Sequence, residues 1–363
     1  CFLYRVEQKQ QQLEALGCET EVVLRDDLND WAWSQKLLWA DAVVVCRLPA
    51  LHSVLRAIEA VRRAGLPIFY DIDDLIIDPQ FCPPALETYG GTLSPEQHRR
   101  FVLDVPLFAS AMKACDSVIV STPSLARRWR SLNPGQPVYV LANLAPPELR
   151  NALVPPRTPP RVGTITLVVA SGTTAHKQVW IEELAPALEQ LLSSHSQLQL
   201  QLLGHLQIPM VLQHHQDRIQ CYPFADYSTY LKSMVAADIG LVALESGTFT
   251  DAKSAIRWME FSYLGLASVL SPSRTYTEIL QEGLHALFAR GQEQWVDQVE
   301  KLLADPGERL AMARRAQGHA QELFGPHKAK DFWSSHLQPG GTGLFRLLGS
   351  AHTAFQPRRR RLL

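Results

Sequence analysis

The sequence has no apolar run long enough to cross a membrane and no cysteine pair that would hold a metal. A transmembrane helix needs roughly 18 or more consecutive apolar residues, and no stretch approaches that length. The cysteines lie at positions 1, 18, 46, 82, 115 and 221, and no two of them form a CxxC pair. This spacing disfavours a zinc site and is typical of reduced, partly buried cysteines in a cytosolic protein.

A strong net charge is also missing. The 363 residues carry a formal net charge of −1, with 46% hydrophobic and 20% charged residues. This composition is that of an ordinary globular protein, and it gives no electrostatic reason to expect nucleic acid as a partner. The one local exception is a run of four arginines at residues 358–361.

Two common nucleotide-binding fingerprints are absent as well. No candidate strand is followed by GxGxxG, which argues against a nicotinamide dinucleotide enzyme. No GK[ST] completes a P-loop.

The chain begins with Cys1 and enters a helix-like pattern at Tyr4–Leu16 with no strand before it, so we expect the first strand of the first domain to be left out of this sequence.

Short apolar runs alternate with helical patterns through the first half of the chain. Leu51–Ala64, for example, has apolar residues at helical spacing. Nearly continuous apolar strands separated by helices are typical of a parallel sheet covered on both faces. The strand candidates are Glu21–Leu24, Ala42–Cys46, Pro67–Tyr70, Ser117–Ser121 and Val138–Leu141.

The same alternation restarts after a proline-rich stretch. Six prolines lie between Pro146 and Pro160, which predicts an extended linker with neither helix nor central strand. Trp180–Leu192 and Tyr227–Ala237 are helical patterns of the second half. Its strand candidates are Ile165–Ala170, Leu198–Leu203, Ile219–Cys221, Ile239–Leu244, Ala267–Leu270 and Ala286–Ala289.

The sequence therefore predicts an α/β fold of two Rossmann-like, doubly wound parallel-sheet domains. Such folds bind ligands in a cleft at the carboxyl ends of the strands. We expect a first domain at residues 1–145, a linker at 146–162, a second domain at 163–335 and a tail at 336–363.

The most informative segment follows the strand at residues 239–244. Thr250 or Asp251 is suited to cap a helix that runs to Leu264, with Gly265 as its stop. That helix would carry a lysine, an arginine and a glutamate on one stripe, at Lys253, Arg257 and Glu260.

Cations near a helix N-terminus are disfavoured unless an anion joins them. The helix N-terminus already carries partial positive charge and free N–H groups, so the placement of Lys253 and Arg257 predicts a diphosphate site. Glu260, one turn further along, could accept hydrogen bonds from ribose hydroxyls. The competing interpretation is a solvated amphipathic helix with an Arg257–Glu260 pair.

Two further clusters follow strands. The small residues and Lys177 of the loop 171–177 would suit a phosphate, although an ordinary turn explains them equally well.

Asp73 and Asp74 end the run Tyr70–Asp74, where they could act as catalytic or acceptor-binding carboxylates or cap a helix. Asp71 and Asp73 also have the DxD spacing of a divalent-metal site. His176 and the His214–His215 pair, which we expect to be exposed, are less informative.

These residues resemble a known family. The second half resembles the retaining, metal-independent glycosyltransferases of the GT-B fold, especially the bacterial family 4 members of cyanobacterial, O-antigen or capsule loci. The resemblance covers roughly residues 2–335. The matching motifs are YRVEQK at residues 4–9, YDIDDL at 70–75, ASGTTAH at 170–176, LG at 203–204 and FTDAKS at 249–254.

The resemblance implies a donor site on the second domain, with no metal and no cofactor. Glu260 would hold the ribose, and the stretch 222–224 would lie near the base. The other residues implied to contact the donor are Gly172, Thr173, Lys177, Gly204, Phe224, Lys253, Ser254 and Arg257. Asp73 and Asp74 stand where many relatives carry a His-Asp pair.

The sequence departs from the family at three positions. Ala252 replaces the first glutamate of the two-glutamate motif, so a loop acid would have to come from Glu245 or Asp251. Ala267 replaces the usual proline two residues after Gly265, and Lys177 follows His176 in place of an acidic residue.

We therefore expect transfer of a hexose from a UDP- or GDP-sugar to a glycan or lipid-linked acceptor in the cytoplasm. The main alternative is a non-catalytic GT-B module within a larger protein, and an epimerase is a third possibility without an identifiable active-site acid. The tail after Leu344 combines leucines and arginines, so it could contact the inner membrane surface, lead into a further domain or be disordered.

Overall fold

The computed structural model of the chain describes residues 2–89, 93–156, 163–171 and 177–336, and the backbone of residues 360–362. Within these ranges, helices cover one parallel sheet of four strands and another of six. The predicted fold class is confirmed, since two Rossmann-like domains face a common cleft. No helix of the described ranges combines the length and apolar character needed to cross a bilayer.

The strands of the first domain are β1 (Cys18–Thr20), β2 (Val43–Cys46), β3 (Ile68–Ile72), β4 (Ser117–Val120) and β5 (Val138–Val140). All of these except β1 form the four-stranded sheet, in the order β2-β3-β4-β5. Its helices are α1 (Gln8–Glu14), α2 (His52–Arg63), α3 (Pro95–Lys113) and α4 (Pro123–Leu132). A π-helical turn at Leu3–Glu7 precedes α1, and 3-10 turns lie at Arg25–Asn29, Trp31–Leu38 and Leu86–Tyr89.

The second domain contains the strands β6 (Ile165–Ser171), β7 (Leu198–Gly204), β8 (Ile219–Tyr222), β9 (Ile239–Val242), β10 (Ala267–Leu270) and β11 (Leu287–Phe288). They form the six-stranded sheet, in the order β11-β10-β9-β6-β7-β8.

Several helices surround the second sheet, one of them preceding it and one returning to the first domain. They are α5 (Pro147–Asn151), α6 (Lys177–Val179), α7 (Ala185–Ser194), α8 (Tyr227–Met234), α9 (Thr248–Asp251), α10 (Ile256–Tyr263), α11 (Arg274–Thr277), α12 (Gly291–Ala304), α13 (Pro306–Phe324) and α14 (Pro326–His336). A π-helical turn at Trp180–Leu184 leads into α7, and a 3-10 segment spans Met210–Arg218.

Burial on both faces explains why the strands were predictable. Every residue of β3, β4, β9 and β10 is buried, so these strands are continuous apolar runs with only small or paired polar residues. In α2, Val54, Ile58 and Val61 are buried at helical spacing against the sheet.

The chain crosses between the domains twice in the described ranges. After β5 it forms α5, whose Leu149 is fully buried, and Val154 N–H then donates to Tyr263 O at 3.1 Å. At the other end, α14 returns to pack on α1, where Trp333 Nε1 donates to Gln12 Oε1 at 3.1 Å. Packing on both crossings therefore joins the two domains.

The prediction that the proline-rich stretch would contain no helix is wrong at its start. Pro147 occupies the first turn of α5, where its fixed φ suits a helix and its missing N–H costs no hydrogen bond. Residues 157–162 lie outside the described residues, and the predicted domain boundaries stay predictions.

The expected strand at Glu21–Leu24 is also wrong, because these residues form no ladder with any described strand. Val22 and Val23 line an apolar groove of about 290 Å³, which residues of β2 also line. The strand in this region is instead β1, which pairs in parallel with β12 (Arg360–Leu362) in the tail.

The single helix expected from residue 251 to Leu264 is broken into α9 and α10. Contacts from other elements hold the interval 252–255 out of helical geometry. Thr122 Oγ1 donates to Ala252 O at 3.0 Å, and Thr275 Oγ1 donates to Lys253 O. The predicted stop at Gly265 is observed, with φ +77° and Val154 O lying where a Cβ would collide.

A buried ionic cluster fixes the N-terminal turn to the first sheet. Arg5 Nε and Nη2 donate to the two carboxylate oxygens of Asp71 at 2.5 and 2.8 Å, and Arg5 Nη1 donates to Leu141 O at 2.8 Å. Lys9 Nζ lies 4.0 Å from Asp71 and has no hydrogen-bond partner among the described residues. Burial, reinforced by the Arg5 charge, lowers the pKa of Lys9 to about 7.

Lys9→Met should flatten the pH dependence of stability above neutrality. The Lys9 pKa is below its ordinary value of 10.5 only in the folded chain, so the unfolded chain binds more protons between these values. The unfolding free energy of the wild type should therefore rise with pH by up to about 1.4 kcal/mol per unit.

Urea titrations at pH 7 to 10 would measure this slope. Exposed Lys232 on α8 offers the control Lys232→Met, which should keep the wild-type slope. Equal slopes for Lys9→Met and the wild type would contradict the buried-lysine account.

Candidate functional site

A cavity of about 470 Å³ lies where the strands of both sheets end. Its first-domain wall follows β2 and β3, and its second-domain wall follows β6, β7 and β9. This is the edge at which parallel α/β sheets bind ligands. The polar residues on the wall are Tyr4, Arg47, Asp73, Asp74, Ser171, His205, Lys253, Ser254, Arg257 and Tyr276.

Asp73 and Asp74 reach this wall, whereas Asp71 does not. Asp71 is the last residue but one of β3, fully buried, and both of its oxygens accept hydrogen bonds from Arg5. A carboxylate held in this way is a structural anchor. The arrangement argues against the DxD metal alternative for Asp71 and Asp73.

A single guanidinium joins the two aspartates on the wall. Arg47 Nη1 donates to Asp73 Oδ1 at 2.8 Å and to Asp74 Oδ2 at 3.0 Å. Burial and the adjacent Asp74 raise the pKa of Asp73. Burial opposes ionisation of Asp74 too, but Lys253 and Arg47 hold the pKa of that carboxyl below its ordinary value.

Arg47 is not among the residues predicted from the sequence. A signal was present, since Arg47 directly follows β2 and must therefore emerge at the same sheet edge as Asp73. Only the three-dimensional structure shows that it contacts both aspartates.

Lys253 and Arg257 face the cleft and are only about one-fifth exposed, at 19% and 21% of their side-chain surfaces. Lys253 lies before the first turn of α10, whereas a position inside that turn was expected, and its Nζ is 3.9 Å from Asp74 Oδ1. Arg257 is in the first turn of α10. The interpretation of these residues as a solvated surface stripe is therefore wrong, although the predicted Arg257–Glu260 pair is present at 2.6 Å.

Glu260 lies behind this wall, at 2% exposure. Its Oε1 accepts from the Tyr4 hydroxyl at 3.2 Å, and its Oε2 accepts from Tyr230 at 2.9 Å and from Arg257 at 2.6 Å. Burial raises the pKa of Glu260, and Arg257, Tyr227 and Tyr4 oppose that rise. A ribose contact at Glu260 stays a prediction and would require some of these donors to give way.

The tyrosines around Glu260 are a feature that was not predicted. Tyr4 comes from the N-terminal turn, and its hydroxyl also lies 3.0 Å from the hydroxyl of Tyr227 on α8. A hydroxyl from the first-domain side thus joins a hydrogen-bond network of the second domain. The sequence offered no signal beyond the motif that begins at Tyr4.

The donor residues predicted between β6 and α6 lie largely outside the described residues. This applies to Gly172 and Thr173 and to the side chain of Lys177, and His176 also lies outside the described residues. Ser171 at the end of β6 is on the cavity wall. Ser254 is also on the wall, and its Oγ accepts from Asn143 Nδ2 at 2.9 Å.

Aromatic side chains border the cavity beyond β7. Gly204 ends β7 with φ +87°, and His205 follows on the cavity wall. Phe224, 68% exposed, stacks on His205 with ring centroids 5.3 Å apart. The structure therefore places Gly204 and Phe224 next to His205, which lines the cavity and was not predicted, whereas Gly204 and Phe224 are not among the described lining residues.

The two candidates for a loop acid are not among the described residues that line the cavity. Asp251 Oδ1 accepts from Arg274 N at 2.8 Å, which engages it at the start of α11. Glu245 is partly buried, and burial together with Glu182 raises its pKa. Its Oε1 has no hydrogen-bond partner among the described residues. Neither position supplies an acid at the wall in this arrangement.

Both histidines of the pair at 214 and 215 were expected to be exposed. His214 is exposed, but His215 is buried, at 8% exposure. His214, His215 and Glu189 place potential ligand atoms within 4.8 Å of one another. His215 Nδ1 accepts from Arg218 at 2.7 Å, so its Nε2 carries the proton and donates to Ser193 Oγ at 3.1 Å. That tautomer has no lone pair left for a metal.

Comparison with known proteins agrees with the fold. A family model described as "Glycosyl transferase-like" matches residues 181–329. No curated protein matches the sequence.

Solved structures with a similar fold include GT-B glycosyltransferases. HepE from Anabaena in complex with UDP-glucose is 16% identical, with a TM-score of 0.52, and the match covers 78% of this chain and 75% of HepE. TarM from S. aureus is 9% identical (TM-score 0.55; 85% and 57% covered), and sucrose-phosphate synthase from Thermosynechococcus elongatus is 16% identical (TM-score 0.54; 78% and 70% covered). The resemblance to GT-B glycosyltransferases is thereby confirmed, and the matched segment is glycosyltransferase-like.

Tyr4→Phe tests the network around Glu260. The substitution should lower the unfolding free energy by about 1–3 kcal/mol, because a buried carboxylate loses a donor. Urea titration measures the loss. Tyr222→Phe is the control, since the Tyr222 hydroxyl donates to Gln220 at the surface, and its effect should stay within roughly 0.5 kcal/mol. Equal losses for both variants would contradict a special role for Tyr4.

Proposed function

We propose that this chain is a retaining glycosyltransferase that transfers a hexose from a UDP- or GDP-sugar to a glycan or lipid-linked acceptor, without a metal. One observation carries the proposal. Lys253 and Arg257 face the cleft beside the N-terminus of α10, opposite the carboxylates of Asp73 and Asp74.

The cations suit the departing nucleoside diphosphate. As the glycosidic bond to phosphate breaks, negative charge builds on the leaving group, and preorganised cations stabilise that charge. Lys253 lies beside the amino end of α10, where backbone N–H groups add to the field. Side chains already held in a partly buried cleft need little reorganisation for this task.

The carboxylates suit the acceptor side of the reaction. Asp73 and Asp74 lie on the first-domain wall, across the cleft from the cations. A hydroxyl acceptor would bind there by hydrogen bonds, and its proton would pass to a carboxylate or to the leaving phosphate. Retention of configuration, as implied by the family resemblance, is consistent with attack from the face that the phosphate leaves.

The aromatic end of the cleft suits the nucleobase. His205 and Phe224 form a stacked pair beside Gly204, and a base can stack on such a surface. UDP is the first nucleotide to test, because a structure of HepE holds UDP-glucose.

One observation favours a non-catalytic GT-B module as the second candidate. Ala252 replaces the first motif glutamate and is buried at 2% exposure, and neither Glu245 nor Asp251 lines the cavity. Turnover distinguishes the candidates: the enzyme releases UDP from UDP-sugar when acceptor is added, whereas the module binds the nucleotide without releasing product.

Calorimetric titration with UDP, GDP and their sugars tests the proposal directly. The wild type should bind at least one of these nucleotides. Lys253→Ala should weaken that binding about tenfold, because a charge-assisted hydrogen bond to phosphate contributes about 1.5 kcal/mol. Lys232→Ala, an exposed lysine on α8, is the control and should bind like the wild type. No binding of any of these nucleotides would overturn the proposal.

A further inference from the structure

Arg47 has an unusual backbone. Its φ is +50°, and among the described residues it is the one non-glycine with a positive φ. A residue with a Cβ atom is strained at positive φ. Such strain persists where the surrounding structure fixes the backbone, often at functional sites. The Arg47 N–H donates to Asp71 O at 3.0 Å, so β3 itself holds the strained residue in place.

This backbone directs the guanidinium onto the two aspartates of the cleft. One nitrogen, Nη1, lies 2.8 Å from Asp73 Oδ1 and 3.0 Å from Asp74 Oδ2. The three residues follow two adjacent, paired strands of the first domain, so the backbone of that domain alone positions all of them. Asp73 and Asp74 side chains are only 10% and 28% exposed, so their repulsion is weakly screened.

Asp74 has a second cationic neighbour, which belongs to the second domain. Lys253 Nζ lies 3.9 Å from Asp74 Oδ1, and Lys253 is also the residue placed to bind donor phosphate. Asp74 and a phosphate would therefore compete for the same ammonium group. A donor phosphate displaces Asp74 from Lys253 more readily if Asp74 remains paired with Arg47.

We propose that Arg47 is a positioning residue: it holds Asp73 and Asp74 on the first-domain wall and so lets Lys253 leave Asp74 for the donor phosphate. This inference rests on the proposed function, because it assumes that the donor's phosphate binds at Lys253. It differs from a direct phosphate contact by Arg47, which would act on the donor whether or not Asp74 were present.

The test is a double-mutant cycle with UDP binding, measured by calorimetry, as the readout. Arg47→Gln should weaken UDP binding about fivefold, because Asp74 then pairs with Lys253 alone. Asp74→Asn should abolish this sensitivity, so that R47Q/D74N and D74N bind UDP equally well. Arg47→Lys, which keeps a cation, should lose less affinity than R47Q.

Controls separate this role from others. Arg62→Gln removes an exposed arginine that pairs with Glu59 on α2, and it should leave UDP binding unchanged. Melting temperatures verify folding, and R47K with R47K/D74N replaces the cycle if R47Q does not fold. A loss of affinity from R47Q that persists unchanged in the D74N background would overturn the positioning role while leaving the donor-site proposal intact. Absence of UDP and GDP binding in the wild type would overturn both.

Discussion

The ionic contact across the cleft, between Asp74 of the first domain and Lys253 of the second, is the interaction on which the functional account depends. It is long, at 3.9 Å, and both side chains are largely withdrawn from solvent. Arg47 pairs with both Asp73 and Asp74 on one side of this contact, and Arg257 pairs with Glu260 on the other. The site is therefore a set of opposed charges in which Lys253 has the longest ion-pair contact, and the proposed function requires this cation to bind the donor phosphate.

The scaffold keeps these charges in place by burying other ionic groups completely. Arg5 and Asp71 fix the N-terminal turn against β3, and that turn delivers Tyr4 to the Glu260 network. A buried pair of this kind adds little net stability, but loss of either partner would leave an uncompensated charge. The N-terminal turn that carries Tyr4 and Arg5 therefore contacts both walls of the cleft. Because this turn brings Tyr4 to Glu260, the carboxylate that was expected to contact the ligand accepts a hydrogen bond from the protein.

Much of the fold could be predicted from the sequence, and the failures have specific causes. β9 and β10 were predictable because strands buried on both faces are continuous apolar runs. Such a run can be recognised in the local sequence without knowing which residues contact it. The break between α9 and α10 was not, because Thr122 and Thr275 hold its carbonyls from far along the chain. Asp73 and Asp74 were found from their place after a strand. Arg47 has the same place after β2, but its contacts depend on a backbone conformation that no local pattern predicts.

The most direct test of the central claim is a crystal structure of the chain bound to UDP. The account predicts the diphosphate beside the amino end of α10, with Lys253 Nζ within hydrogen-bonding distance of a phosphate oxygen and Asp73 and Asp74 still held by Arg47. UDP bound away from this cleft, or phosphate bound there with Lys253 still paired to Asp74, would contradict it.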